Sequence, residues 1–303
     1  MRKSQIITLG ILFIAVTIFI WVGACSDKSA VPDADTTPKI NALQTPQPQE
    51  TPDPSSPTGE TPTQSPANAE RPAVDYTQLN GLRTDSLSMS VSKEDGRTFT
   101  DSDTTNALEG KDYILSKPGT DTKDIYLTFM LDWSDSNTKV TQLLDIAKEN
   151  NAKFTFFVSQ NYLNDDANIE ILKRIHDEGH TIGTRGNRST NQLDVSSESF
   201  SDSMWALETR YQEIFGSTER MYFFAPDVDK VSERNVTIAN MMGYTVVFKR
   251  SNFVTDEGTR PETYNGVVYQ WSESENRNDI VDQVRTYVPW AISEGYTFKT
   301  FTK

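Results

Sequence analysis

Cysteine is almost absent from this sequence. Of 303 residues one is cysteine, so a single chain cannot form an internal disulfide. Histidine is nearly as scarce, with two residues, and the hydrophobic share of 36% is low, which indicates a long segment that buries little. Acidic residues outnumber basic ones by 43 to 29, for a formal net charge of -14. This charge disfavours nucleic acid and anionic membrane surfaces as partners, because like charges repel.

The lone cysteine follows an apolar N-terminal segment. Arg2 and Lys3 precede an apolar run that reaches Ala24, and Cys25 comes next. A basic start, an apolar core and small residues before a cut site are typical of a secretory signal. Small residues directly before a cysteine resemble the bacterial lipobox, which implies a signal peptide over residues 1–24 and lipid attachment at Cys25. The alternative is an uncleaved anchor, since a run of this length can span a bilayer. Both interpretations predict an extracytoplasmic protein tied to the cell membrane.

Residues 25–75 are predicted to be a disordered tether. Most of the 14 prolines of the chain fall here, among serine, threonine, glutamine and aspartate. Such a segment buries too little to offset its ordering entropy, and its backbone stays extended. It suits a tether that carries a domain into a cell wall, or a passive spacer. Residues 76–120 are of mixed composition and are predicted to be a partly ordered lead-in.

From residue 121 to residue 303 the pattern alternates between strands and helices. Apolar positions at helical spacing follow β-rich stretches, and the helices are predicted to end at Gly179, Gly216 and Gly243. This alternation predicts an α/β domain with parallel strands. About six or seven such units fit an incomplete barrel better than a full eightfold one. Pro289 is predicted to bend or split the last helix.

Five stretches of this domain carry a family resemblance. They are IYLTF at 125–129, AKFTFFV at 152–158, ILKRIHDEGHTIG at 171–183, SERNVTIANMMGY at 232–244 and GYTFKTF at 295–301. In order and spacing they resemble the NodB-homology polysaccharide deacetylases, or carbohydrate esterase family 4. The resemblance implies a distorted (β/α) barrel of six to eight strands. In active members an aspartate and two histidines bind one divalent metal, usually zinc, a second aspartate acts as base and a late histidine as acid, and the reaction removes N-acetyl groups from sugars.

The positions that would carry this chemistry are altered here. Met130 and Leu131 replace the base and the aspartate ligand, Arg185 and Ser189 the two histidine ligands, Ala225 the motif arginine, and Trp271 the acid. The resemblance therefore implies a domain that has lost its metal and its catalytic groups, with no cofactor.

The two histidines of the chain are not predicted to form a replacement metal site. His176 and His180 are four residues apart, a spacing that can chelate zinc on a helix. Gly179 is predicted to end that helix between them. A structural role, with His180 packed or hydrogen-bonded at a strand start, is therefore favoured over a zinc site.

The remaining candidates for a binding groove are acidic, basic and aromatic residues that follow the strands. They are Asp132, Trp133, Asp135, Arg185, Asp227, Asp229 and Trp271. Carboxylates can bind calcium, but solvated carboxylates or pairs with Arg185 and Arg188 are favoured, since calcium needs about six to eight converging oxygens. The faces of Trp133, Phe224 and Trp271 suit either sugar stacking or the filling of a vacated cavity.

Arg185 leads to a specific structural prediction. An isolated buried guanidinium is costly. Arg185 is therefore predicted to pair, as a protein cation in place of the metal, with at least one of four loop aspartates. These are Asp132, Asp135, Asp227 and Asp229. Met130, Leu131 and Trp271 are predicted to pack beside it.

Three functions remain open. The first is an inactive deacetylase-like lipoprotein that binds cell-wall glycan, such as peptidoglycan, or an envelope protein. The second is a carbohydrate N-deacetylase with a displaced carboxylate pair such as Asp132 and Asp227. The third is a purely structural or regulatory envelope module.

Overall fold

The computed structural model describes residues 70–90, 99–115, 122–132, 136–227, 230–248, 251–252, 260–272 and 280–303. Cys25 and the predicted signal peptide lie outside the described residues, as does the predicted tether up to residue 69. Trp133, Asp135 and Asp229 also lie outside them. The described residues all belong to one compact unit, Thr61–Lys303. Among their helices, none is long and apolar enough to cross a membrane.

The strands of the described residues form one parallel sheet of nine strands. In chain order they are β1 (Tyr113–Ile114), β2 (Asp124–Leu131), β3 (Thr155–Ser159), β4 (Thr181–Gly186), β5 (Phe223–Phe224), β6 (Thr245–Val247), β7 (Ser251–Asn252), β8 (Val267–Ser272) and β9 (Thr297–Phe298). The spatial order is β1-β6-β5-β4-β3-β2-β8-β7, and β9 pairs with the start of β2. The predicted α/β architecture with an incomplete, curled barrel is confirmed.

Helices cover the outer face of the sheet. They are α1 (Ser102–Ala107), α2 (Asn137–Glu149), α3 (Gln160–Asn164), α4 (Ile169–Asp177), α5 (Ser197–Phe215), α6 (Glu233–Met241) and α7 (Ile280–Ser293), with 3-10 turns at Tyr76–Leu79 and Asp166–Asn168. Serine side chains cap three of them: Ser159 Oγ accepts from the Tyr162 N–H at α3, Ser196 Oγ from the Ser199 N–H at α5, and Ser232 Oγ from the Asn235 N–H at α6. Gly179 has a φ of +76° just after α4, which agrees with the predicted helix end.

Pro289 does not split the last helix. α7 runs without interruption from Ile280 to Ser293 and contains Pro289 in its interior. The apolar face of the helix explains this result, because Val284, Tyr287 and Val288 are all buried in the core. Burial of that face outweighs the loss of one backbone hydrogen bond.

The lead-in contributes to the domain. Leu79 and Leu87 are buried in the main core. Before them, Arg71, which the sequence placed in the tether, forms an ion pair of 2.7 Å with Asp202 on α5. Further along, β1 pairs with β6, with Tyr113 opposite Val246. The sequence did not predict a strand here, because two residues give no periodicity to detect.

The sheet has two buried faces. The larger core lies between the sheet and the helices and includes Phe129 and Leu131. A smaller cluster fills the inner, concave face, and its members are Met130, Phe157, Phe223, Ala225, Val247, Val268 and Phe301. Phe301 enters it from the C-terminal segment, and its ring stacks on Tyr126 with centroids 5.1 Å apart. The inner face is thus packed with apolar side chains, and in folds of this kind functional residues lie at the carboxyl ends of the strands.

Candidate functional site

Two arginines and two aspartates meet at the carboxyl ends of the strands. Asp132 follows β2, Arg185 lies near the end of β4, Arg188 is in the loop after β4, and Asp227 follows β5. Because parallel strands end at one edge of a sheet, these residues lie close together although they come from separate parts of the chain.

The four side chains form a ring of alternating charge. Arg185 Nη2 lies 3.0 Å from Asp227 Oδ1, and Arg185 Nη1 lies 3.9 Å from Asp132 Oδ2. Arg188 Nε lies 3.1 Å from Asp227 Oδ2, and Arg188 Nη1 donates to Asp132 Oδ2. We call these four residues the charge ring. The predicted pairing of Arg185 with a loop aspartate is confirmed.

Local backbone geometry places Arg185 in the ring. Val158 of β3 pairs with Thr184, and Ser159 pairs with Gly186, so Arg185 is an extra residue in β4. Extra residues of this kind re-aim a side chain at a strand end. Gly186 then turns the chain with a φ of +75°, a conformation that favours glycine.

The loop that carries Arg188 is held by the buried side-chain amide of Gln192. Gln192 Nε2 donates to the Arg185 carbonyl at 3.2 Å and to the Asn187 carbonyl at 3.4 Å. A Cβ on Gly186 would lie 2.5 Å from that same nitrogen. Glycine at this position therefore permits the close approach that fixes the loop.

Two further residues support the ring and were not predicted from the sequence. Ser159 Oγ donates to Asp132 Oδ1 at 2.7 Å and also accepts from the Tyr162 N–H at the start of α3. Lys230 Nζ lies 3.7 Å from Asp227 Oδ2. The position of Ser159 at the end of a strand was the available signal, but many serines stand at strand ends.

The electrostatics of the ring follow from burial and from opposite charges. Burial alone would raise the pKa of Asp227, but the charges of Arg185 and Arg188 outweigh it and hold that pKa below its ordinary value. Burial and the neighbouring Arg188 lower the pKa of Arg185, yet an arginine remains charged at neutral pH. Asp227 is therefore an ionised acceptor at neutral pH and cannot act as a proton donor.

These residues do not fit a divalent metal. A guanidinium has donors and no lone pair to offer a cation. Ser189, at the other former histidine position, is exposed, and its hydroxyl accepts from Asn161 Nδ2 at 3.4 Å. Over the described ranges, no three histidine, cysteine or acidic side chains converge as a metal site would require.

The apolar replacements are core residues. Met130 belongs to the inner cluster and Leu131 to the helix-side core, so the two side chains lie on opposite faces of the sheet. They do not both pack beside Arg185, and the prediction that they would is wrong, because neighbouring strand residues point to opposite faces. Ala225 is also buried, and its N–H donates to the Thr184 carbonyl at 2.9 Å.

Trp271 was predicted to line the groove, but the structure buries it. Its side chain is 3% exposed and belongs to the helix-side core, where its ring lies 6.2 Å from that of Phe129. Phe224 is fully buried as well. For Trp271 and Phe224 this burial excludes sugar stacking, because a stacked sugar needs an accessible ring face.

The two histidines have separate environments. His180 accepts a hydrogen bond from the Phe154 N–H at 3.0 Å, and burial lowers its pKa from 6.5 to about 4. His176 stays on α4, where its ring stacks on Phe215 with centroids 4.8 Å apart. The structural role predicted for His180 agrees with these contacts.

Comparisons with known proteins point to one family. Residues 117–247 match the family of polysaccharide deacetylases. The chain is 25% identical over 191 residues to the peptidoglycan-N-acetylmuramic acid deacetylase of Bacillus subtilis, which covers 59% of this chain and 70% of the relative.

Solved structures show the same fold. A family 4 carbohydrate esterase from Bacillus anthracis aligns with a TM-score of 0.55 at 21% identity, over 72% of this chain and 95% of that protein. A family 4 pseudoenzyme from Bacillus anthracis aligns with a TM-score of 0.50 at 17% identity, over 60% of this chain and 65% of that protein. The fold thus occurs in a protein described as an esterase and in one described as a pseudoenzyme.

Proposed function

We propose that this protein is a cell-envelope lipoprotein that binds peptidoglycan without deacetylating it. Residues 117–247 match the polysaccharide deacetylase family. The charge ring carries the proposal. It occupies the strand ends where the family resemblance places the metal, and its own opposite charges satisfy one another.

The ring argues against hydrolysis for two reasons. Deacetylation requires a group that polarises the acetyl carbonyl and activates water, which a metal supplies in the family. Asp132 and Asp227, the carboxylates of a displaced site, both accept from guanidinium groups. For Asp227 the arginine charges lower the pKa, which makes it a weaker base.

The ring suits the recognition of a polyhydroxylated chain. Arg188, Asp132 and Asp227 keep 27%, 15% and 19% of their side chains accessible. Together they present donors and acceptors in fixed positions. A hydroxyl or amide that binds them costs little further side-chain entropy, because the ion pairs have already ordered the groups.

The choice of peptidoglycan as the ligand and the location of the protein at the cell envelope rest on other observations. The Bacillus subtilis relative is named for peptidoglycan N-acetylmuramic acid, so peptidoglycan is the glycan to test. The basic and apolar segment that ends at Cys25 supports an extracytoplasmic location with a lipid anchor. A membrane-anchored domain on a long tether would reach the wall polymer.

A sedimentation assay with purified peptidoglycan tests the proposal. The protein should co-sediment with peptidoglycan and release no acetate from it. Arg188→Gln should weaken the binding, because it removes an accessible ring donor. Lys173→Gln, which loses the same charge from the exposed surface of α4, is the matched control and should bind normally.

Each contrary outcome has a distinct meaning. Acetate release above the level of a boiled control would show an enzyme with a displaced site. No co-sedimentation would leave a structural or regulatory module. Equal binding by Arg188→Gln and the wild type would place glycan recognition away from the charge ring.

A further inference from the structure

A cavity lies at the opposite end of the barrel from the charge ring. Its volume is about 420 Å³. The residues that define its character are His180, Tyr211, Arg220, Tyr222, Phe301 and Lys303. β4 begins at Thr181 and β5 at Phe223, both of which line the cavity, so it opens at the amino ends of the strands. The proposed glycan site uses none of these residues.

The charges of this cavity contrast with those of the whole chain. Two of its lining residues, Arg220 and Lys303, are cations, and none of the described lining residues is acidic. The chain as a whole has a formal net charge of -14. His180 adds no positive charge at neutral pH, because burial lowers its pKa to about 4. Within an acidic protein, the described lining of this cavity has two cationic side chains and no acidic side chain.

The partners of the two cations lie outside the lining. Arg220 Nε lies 3.3 Å from Glu208 Oε1, and Arg220 Nη2 donates to the Met242 carbonyl at 2.9 Å. Glu208 is fully buried, and neither Glu208 nor Met242 lines the cavity. They hold Arg220 in place for a ligand.

Lys303 is held less firmly. Its Nζ lies 3.2 Å from Asp112 Oδ2, and the two side chains are 41% and 54% exposed. An exposed pair of this kind contributes little stability. Lys303 can therefore exchange Asp112 for an anionic ligand at small cost.

An aromatic side chain completes the wall. Tyr222 is one of two large apolar or aromatic side chains that stay well exposed in the described part of the chain, at 40%. The Arg220 guanidinium carbon lies 5.8 Å from the centre of its ring. The guanidinium lies over one face of the ring, and the part of the Tyr222 ring that stays exposed can pack against a ligand ring while Arg220 orients its charged substituent.

From this arrangement we propose that the cavity binds a sugar-sized organic anion. Arg220 and Lys303 hold its carboxylate or phosphate group, and Tyr222 packs against its ring. The volume is in the range of small-molecule pockets. Both kinds of oxyanion match the donors of arginine and lysine, so the experiment distinguishes them.

Isothermal titration of the full chain in detergent provides the test. The probes are glucuronic acid, glucose 6-phosphate, neutral glucose and inorganic phosphate. Glucuronic acid or glucose 6-phosphate should bind, and glucose should not. Lys303→Gln and Arg220→Gln should each weaken that binding about tenfold or more, the effect of losing a charge-assisted hydrogen bond. Arg188→Gln, in the charge ring, should leave it unchanged.

Several outcomes would overturn the proposal. If glucose binds as tightly as glucuronic acid, the charge of the ligand has no role. If inorganic phosphate binds as tightly as glucose 6-phosphate, the sugar ring has no role. Binding lost in Arg188→Gln alone would move the anion to the other end of the barrel. No binding by any probe would also contradict it. If Arg220→Gln fails to fold, because it uncovers Glu208, then Lys303→Gln and Tyr222→Ala decide the outcome.

Discussion

Arg185 donates to Asp227 at 3.0 Å across 42 positions of sequence. The contact joins the end of β4 to the loop after β5, and Arg185 is only 4% exposed. A buried guanidinium is tolerated here because the two carboxylates compensate its charge and that of the neighbouring Arg188. The arrangement places a protein cation where the resemblance puts a metal ligand, and the first prediction follows from it.

Asp227→Asn should destabilise the fold by about 2–4 kcal/mol. It leaves the buried Arg185 with less compensating charge, and the partial exposure of Asp227 moderates the loss. The free energy of unfolding by urea measures the effect. Asp166→Asn is the control, since Asp166 pairs with Arg210 while 83% exposed, and it should cost less than about 1 kcal/mol.

A double-mutant cycle shows whether the cost belongs to the pair. In an Arg185→Met background the buried charge is gone, so Asp227→Asn should cost clearly less than in the wild type. Equal costs in the two backgrounds would mean that the two residues are not energetically coupled.

His180 should make stability depend on pH. Burial first, and then the charge of Lys153, lower its pKa from 6.5 to about 4. In the unfolded chain the His180 imidazole takes up a proton near pH 6.5, whereas in the folded chain it does so only near pH 4. The contribution is therefore complete above pH 6.5 and is lost as the pH falls towards 4, by about 3 kcal/mol in all.

Urea unfolding between pH 7 and pH 4 measures this dependence. His180→Gln should be less stable than the wild type at pH 7 and should approach it at pH 4. His176→Gln is the matched control, because it removes the other, partly exposed histidine. If the difference between His180→Gln and the wild type stays constant over this range, the histidine does not act as described.

The purified protein should carry no stoichiometric zinc, cobalt or nickel at neutral pH. Leu131, Arg185 and Ser189 stand where the resemblance puts the ligands, and none of them offers a lone pair of the kind that these metals prefer. Elemental analysis gives the metal content, with an active family deacetylase purified alongside as a positive control. Excess zinc should also leave the melting temperature unchanged, since a ligand stabilises only a fold that binds it. About one ion per chain would contradict the assignment of these positions.

Cys25→Ser should abolish lipid labelling and either release the protein or leave it unprocessed at the membrane. The sulfur of Cys25 is the predicted attachment point, and serine has no thiol to modify. Metabolic labelling with a fatty acid and the electrophoretic size report the result. If the variant matches the parent in labelling and size, the uncleaved anchor is the correct interpretation.

Much of the fold could be predicted from the sequence because its signals are local. The α5 and α6 helices were predicted from helical spacing and end glycines, and β2 and β3 from β-rich runs. The departures from the motifs of the resembled family are local as well, because each is found by comparing one position at a time. The two-residue strand β1 and the uninterrupted α7 were missed, because pairing and burial from distant segments decide both.

The sequence by itself determined the order of most strands and helices, the presence of Leu131, Arg185 and Ser189 where the family resemblance puts metal ligands, and the excess of negative charge. Only the tertiary structure decided which aspartates pair with Arg185, that Ser159 anchors Asp132, and that Trp271 belongs to the core. Backbone propensity and periodicity act over a few residues and are therefore legible along the chain. The partner of a charged side chain and the burial of an aromatic ring depend instead on which strand ends the folded sheet brings together.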